Sequence, residues 1–330
     1  MTKKIALIYT GGTFGCIGEP LSPMPHESFI PKLKRILPNQ QQIDCFISKN
    51  ILDSSAATAK DWLQLIQQIQ ELQLAGYENF VIIHGTDTLS YAAAVLSRFL
   101  QSSCRVILTG SQYPLLNIEG NDTREFTDAI DNLNSALDQV VKVTNGVYLA
   151  FYHQVFHAST VLKVHTTALD AFRGQKHDHD LEQNQQPPHF NEPLLIKNEH
   201  FQRAEQLNIL NWMMLPISKE KFADNLKQLL VNPPDFLVIQ AYGTGNLNVD
   251  DEIIEIFKQL KQRSCQTILT TQVPLGGMDQ RYSVSQWIKN AEILTNDCAS
   301  LADLYAKILK IYLQYPTSQQ WHDHWFDSAE

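Results

Sequence analysis

Short apolar runs rich in β-branched residues alternate with stretches of helical period along this chain, and no other feature constrains its fold as much. Ile5–Tyr9, Phe80–Ile83, Val106–Thr109 and Val147–Tyr152 read as strands buried on both faces. Between them, Asp61 to Ala75 puts Trp62, Leu63, Ile66, Ile69 and Leu72 on one helical face, and Thr58 with Asp61 makes a capping pair at its start. Leu89 to Leu100 repeats the pattern through Leu89, Ala92, Ala93, Leu96 and Leu100. Strand–helix alternation of this kind predicts an α/β fold: a parallel sheet with helices on both faces.

The pattern lapses from about His177 to Arg203, a polar stretch marked by Pro187-Pro188. It resumes with strands at Phe236–Ile239 and Thr267–Leu269 and helices at Asp250–Lys261 and Leu301–Tyr312. At 330 residues the chain exceeds what one hydrophobic core usually supports. Two domains are therefore predicted, a larger N-terminal one over residues 1–185 and a smaller C-terminal one over 207–330, joined by a linker at 186–206.

A formal charge of −9 leaves no basic excess to release counterions from phosphates, so a nucleic-acid partner is not expected. The first apolar run, Ile5–Tyr9, is too short for a signal-peptide core, and no window reaches the length of a membrane span. A cytoplasmic protein with no membrane partner is the expectation. The five cysteines form no C-x-x-C pair, which argues against a zinc knuckle, and their odd number argues against a closed disulfide framework. Buried, reduced thiols are the plainer reading. Lys176-His177-Asp178-His179-Asp180 looks like a metal tract but lies in a polar stretch without a partner motif, and reads as a solvated loop. No metal or cofactor is predicted.

In open parallel sheets, ligands bind just beyond the C-terminal ends of strands. The first strand is followed by Thr10-Gly11-Gly12-Thr13-Phe14-Gly15. Its paired glycines allow a sharp turn and leave room beside Thr13; a bare tight turn fits equally well. The run is neither G-x-G-x-x-G nor a P-loop. The second apolar strand leads into His84-Gly85-Thr86-Asp87-Thr88, where helix capping would account for one polar residue but not for all of them. Gly110-Ser111-Gln112 follows the next strand, and Asp53-Ser54-Ser55 precedes the Thr58 cap. Lys163 lies in a β-rich stretch, either as an edge charge or buried beside Asp87. Hydroxyls, one acid and one lysine suit acyl transfer, in which one hydroxyl attacks, a base activates another, and turn amides hold the oxyanion. No G-x-S-x-G or H-E-x-x-H motif is present.

Taken together, Thr10-Gly11-Gly12-Thr13 and His84-Gly85-Thr86-Asp87-Thr88 resemble the double signature of bacterial-type L-asparaginases, nearest the cytoplasmic type I branch. The likeness continues through Asp53-Ser54-Ser55, Thr109-Gly110-Ser111-Gln112, Lys163 and Tyr242-Gly243-Thr244-Gly245-Asn246, and weakens after about Thr270. It implies a smaller flavodoxin-like C-terminal domain and hydrolysis of L-asparagine to L-aspartate and ammonia through an acyl-enzyme on Thr13. It further implies that Thr86, Asp87 and Lys163 form a second polar cluster, with Asp87 also pairing the substrate ammonium. Asp53, Ser54 and Ser55 would hold the substrate α-carboxylate, with Gly85 and Ser111 also against the substrate. Family members are dimers or tetramers, and Asn246 is the residue expected to help close a neighbour's site.

The chain departs from the family at several points. Leu21 stands where the mobile loop carries a tyrosine, Ala56-Ala57 replace a frequent Asp-Met, and Gln240 and Ala302 stand where arginine and an acid occur in type I patterns. Slow turnover is therefore expected unless Tyr9 or Tyr91, each adjoining a signature motif, takes the missing phenol's role. The competing readings are a glutaminase-asparaginase, a catalytically weak amino-acid-binding protein on the same fold, and the amidase half of a tRNA-dependent amidotransferase. A dehydrogenase is disfavoured because no dinucleotide fingerprint exists.

Overall fold

A computed structural model describes residues 4–38, 42–177, 193–278 and 284–327. The chain divides into two compact units, Met1–Phe201 and Gln202–Glu330. Each holds a largely parallel sheet layered with helices, as the alternation in the sequence requires.

In the first unit the strands are β1 (Ile5–Gly11), β2 (Ile43–Leu52), β3 (Asn79–Ile83), β4 (Arg105–Thr109), β5 (Gly146–Phe151) and β6 (Gln154–His157). They lie in the order β2-β1-β3-β4-β5-β6. The first five are parallel, and β6 turns back antiparallel on β5. Period-2 alternation sends Ile5, Leu7, Tyr9, Val81, Ile83 and Ile107 into one core. There they meet Phe29 and Leu33 of α1 (His26–Ile36) and Leu133 and Leu137 of α4 (Ala129–Val140). The alternate residues Ala6, Ile8, Phe80, Ile82, Val106 and Leu108 are equally buried on the other face. That face belongs to α2 (Ala59–Leu74) and α3 (Leu89–Leu100). Each fully buried aliphatic side chain contributes about 2 kcal/mol. At the start of α2, the Asp61 carboxylate accepts the Thr58 N–H at 2.9 Å and its hydroxyl at 2.7 Å, closing the capping pair.

The order of strands reverses direction between β1 and β3. Chain leaving β1 crosses to β2 on one side, and the next strand enters on the other. The connections that follow β1 and β3 therefore run to opposite faces of the sheet, through α1 on one and α3 on the other, and the sheet's end between them forms a crevice, the place where such sheets bind ligands.

The second unit carries β7 (Ile209–Met213), β8 (Phe236–Ala241), β9 (Gln266–Thr271) and β10 (Leu294–Thr295), all parallel and in chain order. Its helices are α5 (Asn198–Gln206), which spans the division between the units, α6 (Lys219–Leu229), α7 (Asp251–Gln262), α8 (Val284–Asn290), α9 (Leu301–Gln314) and α10 (Ser318–Asp323). Phe222, Leu226, Ile253 and Phe257 of α6 and α7 cover Leu237 and Ile239 of β8. On the opposite face, Trp321 of α10 packs on Phe236 at 4.9 Å and on Tyr312 of α9 at 5.2 Å. Helices on both faces give a three-layer α/β arrangement with its strands in chain order.

Two elements go unread in the sequence. The stretch expected to be linker contains a helix, α5, which buries only His200 and Ala204, so its apolar stripe is too thin to read; residues 186–192 of that stretch lie outside the described residues. The edge strand β2 is likewise hidden in the sequence, because Asp44, Ser48, Lys49 and Asn50 interrupt its apolar run. Of the histidine tract, 178–180 lie outside the described residues, while His177 packs edge-on against Tyr148 at 5.0 Å. None of the five cysteines forms a disulfide; burial pushes the Cys104 thiol up to about 11 and Cys265 to about 12, but Cys16, Cys45 and Cys298 are only half-buried. Among the described residues no helix is long and apolar enough to cross a membrane.

Candidate active site

The crevice brings the two glycine-bearing loops into direct contact. Gly12, at φ 86°, faces Gly85 so closely that a Cβ on Gly12 would lie 2.4 Å from the Gly85 Cα. A Cβ on Gly85 would in turn lie 2.5 Å from the Ser54 Oγ. Only glycine fits at either position, and the first also needs a left-handed backbone. The Thr10 hydroxyl donates to the Ile83 carbonyl at 2.9 Å and locks the ends of β1 and β3 together.

Thr13 opens a one-turn 3-10 helix, Thr13–Gly15, and is half-buried. No hydrogen bond engages its hydroxyl among the described residues, so its oxygen is available to a ligand. Thr86 is buried, and its hydroxyl accepts from Lys163 Nζ at 3.0 Å. The same ammonium donates to Asp87 Oδ1 at 3.0 Å. Lys163 keeps only 19% of its side-chain surface, whereas Asp87 keeps 60%. The lysine is thus a shielded charge with its proton directed at a hydroxyl, and the aspartate presents its second oxygen outward. Lys163 reaches the cluster from a two-residue strand, Leu162–Lys163, pinned antiparallel to Phe172–Arg173.

The capping reading of the second motif does not hold for its Thr86 and Asp87. The cap position of α3 falls on Thr88, and even that hydroxyl makes no cap bond; it donates to the Ser54 carbonyl at 2.7 Å. The surplus polarity at this strand end is therefore turned toward Ser54 and Lys163.

The family described as Asparaginase, N-terminal matches residues 4–194, more than half of the chain. The match takes in the lysine held between a threonine and an aspartate, and the glycine turn with its unengaged threonine. The chain belongs to the asparaginase family, a family of amidohydrolases. It is similar to L-asparaginase 1 of Escherichia coli (strain K12), 25% identical over 325 residues that span 96% of this chain and 93% of that one. Among solved structures, L-asparaginase I from Vibrio cholerae O1 biovar eltor str. N16961 shares the fold, with a TM-score of 0.76 at 22% identity over 97% of this chain and 95% of that chain. A glutamyl-tRNA(Gln) amidotransferase component from Methanococcus vannielii is 30% identical over 181 residues, 52% of this chain and 41% of the relative.

The remaining residues singled out in this asparaginase-family sequence fall into four groups. Ser54 is buried, and its Oγ accepts the Asp87 N–H at 3.2 Å, so it ties the second motif to the loop after β2. Asp53 and Ser55 are exposed and pair with each other, the Asp53 Oδ1 accepting both the Ser55 N–H and its hydroxyl at 3.0 Å. Ser111 is buried, and its hydroxyl donates to the Tyr113 carbonyl at 2.6 Å, which shapes the turn after β4. Asn246 belongs to the second unit, where its backbone pairs both ways with Tyr242 to close a tight turn.

Asp128 and Asn132, which also bear on the site, come from the structure alone. Asp128 is buried and accepts the backbone N–H groups of Gln112 and Tyr113, at 2.9 and 3.0 Å, while Asn132 bridges it to the Gly110 carbonyl. Their polar i, i+4 spacing on the apolar face of α4 is the signal the sequence offers. Tyr9 is buried under Gly15, where a Cβ would strike its hydroxyl, and burial raises its pKa; Tyr91 is raised likewise. Leu21 sits 52% exposed in the loop of the small hairpin formed by Cys16–Ile17 and Ser22–Pro23. Among the described residues, no three His, Cys, Asp or Glu side chains converge as a metal ion would require.

Proposed function

We propose that this chain hydrolyses the side-chain amide of L-asparagine in the cytoplasm, with Thr13 as nucleophile, as a homodimer or homotetramer. The observation that carries the reading is the bridge from Lys163 to both Thr86 and Asp87 at 3.0 Å, set at the sheet's crevice. In the first step the Thr13 oxygen bonds to the amide carbon, the carbon–nitrogen bond breaks, and the hydroxyl proton leaves on nitrogen as ammonia. Water then adds to the Thr13 ester, the Thr13 oxygen departs and regains a proton, and L-aspartate is released. Backbone N–H groups of the glycine turn stabilise the oxyanion in both steps.

Thr86 and Lys163 handle the protons. The ammonium donates to the Thr86 oxygen and lowers the cost of negative charge there, which leaves the Thr86 hydrogen free to move toward a reacting atom. Asp87 balances the lysine through one oxygen, and its exposed oxygen suits the substrate ammonium. Ser54, with Asp53 and Ser55, meets the substrate α-carboxylate, aided by Gly85 and Ser111, and Asn246 of a neighbouring copy closes the site. The similarity to relatives named L-asparaginase supports the substrate.

Ammonia release from asparagine, glutamine and simple amides by purified, EDTA-treated protein tests the reading. Release from asparagine in the absence of tRNA is expected, together with tight binding of aspartate by calorimetry. Binding without turnover would make the chain an amino-acid-binding protein instead.

A further inference from the structure

Within the second motif one buried titratable side chain has no part in the chemistry above. We propose that His84 is a positioning residue of this site: as the neutral Nδ1–H tautomer it grips the Gly85 carbonyl and thereby aims the loop bearing Thr86 and Asp87. The proposal rests on the asparaginase reading for its kinetic arm only.

The geometry fixes the tautomer. His84 is 4% exposed, with Nδ1 2.8 Å from the Gly85 carbonyl oxygen and Nε2 3.4 Å from the Trp62 indole nitrogen. A carbonyl oxygen only accepts, so Nδ1 carries the hydrogen. An indole N–H only donates, so Nε2 is bare. Both contacts demand the same tautomer, which is the minor form of free histidine. A proton on Nε2 would point an N–H at an N–H and leave the carbonyl unpaired. Burial also pushes the imidazole pKa down, so the ring stays neutral at neutral pH.

The grip has a mechanical consequence. The Gly85 carbonyl and the Thr86 N–H share one planar peptide and point in opposite directions. Holding the carbonyl therefore sets the direction of the Thr86 N–H and the exit of the chain toward Asp87. Gly85 has no side chain to limit its own rotation, because Gly12 and Ser54 leave no room for one. Lys163 holds the Thr86 side chain but not its peptide, and the loop's backbone and hydroxyl ties to Ser54, from Asp87 N and Thr88 Oγ1, lie beyond Thr86. The His84 backbone N–H is itself fixed, donating to the Thr109 carbonyl at 2.8 Å. The imidazole is thus the brace between a rigid strand end and the peptide that leads into Thr86.

Two measurements test this. Ring nitrogen chemical shifts from 15N NMR should show His84 as neutral Nδ1–H throughout the neutral range. In asparagine hydrolysis, His84→Asn keeps a donor near the Nδ1 position, whereas His84→Phe keeps none and His84→Gln can satisfy only Trp62. We expect the Phe and Gln variants to lose about a hundredfold in kcat with KM little changed, as misplacement near 1 Å does, and Asn to restore most of it. An Nε2–H or doubly protonated ring overturns the proposal, as does an Asn variant as slow as Phe. If His84→Phe does not fold, the Gln and Asn pair and the tautomer decide. Wild-type protein inert toward all amides would sink the functional reading, and the NMR result would still judge the brace.

Discussion

The strand ends of the first sheet carry Thr13, Thr86 and Asp87, whereas those of the second carry Gln240, Thr270 and Asn296, with Asn211 at mid-strand in β7. In the second sheet these polar groups satisfy one another: Gln240 donates to the Asn211 side chain and Asn296 to the Thr270 hydroxyl, each at 2.9 Å. In the first, the Thr13 hydroxyl has no partner among the described residues, and Asp87 holds an oxygen open to solvent. Topology explains the contrast. The first sheet reverses its order between β1 and β3 and so sends the connections after them to opposite faces, while the second adds strands in sequence and lets neighbouring strands pair their polar groups. Polar residues at a strand end become a site only where the fold prevents them from satisfying each other.

The sharpest way to break that contrast is to remove the group that the first sheet leaves unengaged. Thr13→Ala should cut asparagine turnover below about a thousandth of wild type, the level typical once a nucleophile is lost. Unchanged circular dichroism and thermal unfolding would separate this from misfolding. Residual kcat well above that level would transfer the nucleophile's role to Thr86.

Next in size is the Lys163 bridge. Lys163→Met should lower kcat about a hundredfold or more, as losing a positioned acid–base group does, with a much smaller change in KM. Because Lys163 and Thr86 touch, the double mutant with Thr86→Ala should be little worse than either single one. Additive losses in that cycle would mean the two act separately.

A smaller effect, and of opposite sign, belongs to the loop after β1. Leu21 excludes water but neither donates nor accepts a proton. Leu21→Tyr should raise kcat about tenfold, short of the roughly hundredfold a fully positioned acid–base group supplies. A fast wild-type enzyme with an unresponsive Leu21→Tyr variant would direct attention to Tyr91, since Tyr9 is sealed beneath Gly15.

These residues also show what a sequence discloses. The buried strands β1, β3, β4 and β5 are legible because all-apolar runs leave little choice of structure, and the glycines announce a turn. What the sequence does not disclose depends on partners far along the chain. That Gly12 must touch Gly85, that Thr88 pairs with Ser54 rather than capping its helix, and that Asp128 holds the turn after β4 follow only once strands take their order. The strand β2 is hidden for a related reason: an edge strand is half-solvated, and its polar residues mask the period. His84 is visible in the motif, but its role is written in the direction of two hydrogen bonds.

The last and smallest effect on catalysis concerns the second sheet, and it tests whether self-satisfied strand ends are structural. Asn296 donates to the buried Thr270 hydroxyl and accepts the Cys298 N–H at 2.9 Å. Asn296→Ala removes both hydrogen bonds, which costs about 1–3 kcal/mol and should lower the thermal midpoint by several degrees. If its function is only to hold those ends together, kcat and KM for asparagine should not move. Asn246 provides the comparison within the same unit. Its side chain is exposed and, among the described residues, hydrogen-bonds at 3.5 Å to the Thr244 hydroxyl alone, so Asn246→Ala should spare stability. It should instead raise KM, through the site of a neighbouring copy in an oligomer visible by light scattering. A fully active monomer near 37.6 kDa would end that role for Asn246. A kinetic loss in Asn296→Ala matching that of Asn246→Ala would show that the second sheet's strand ends also belong to the active site, and the contrast between the sheets would fail.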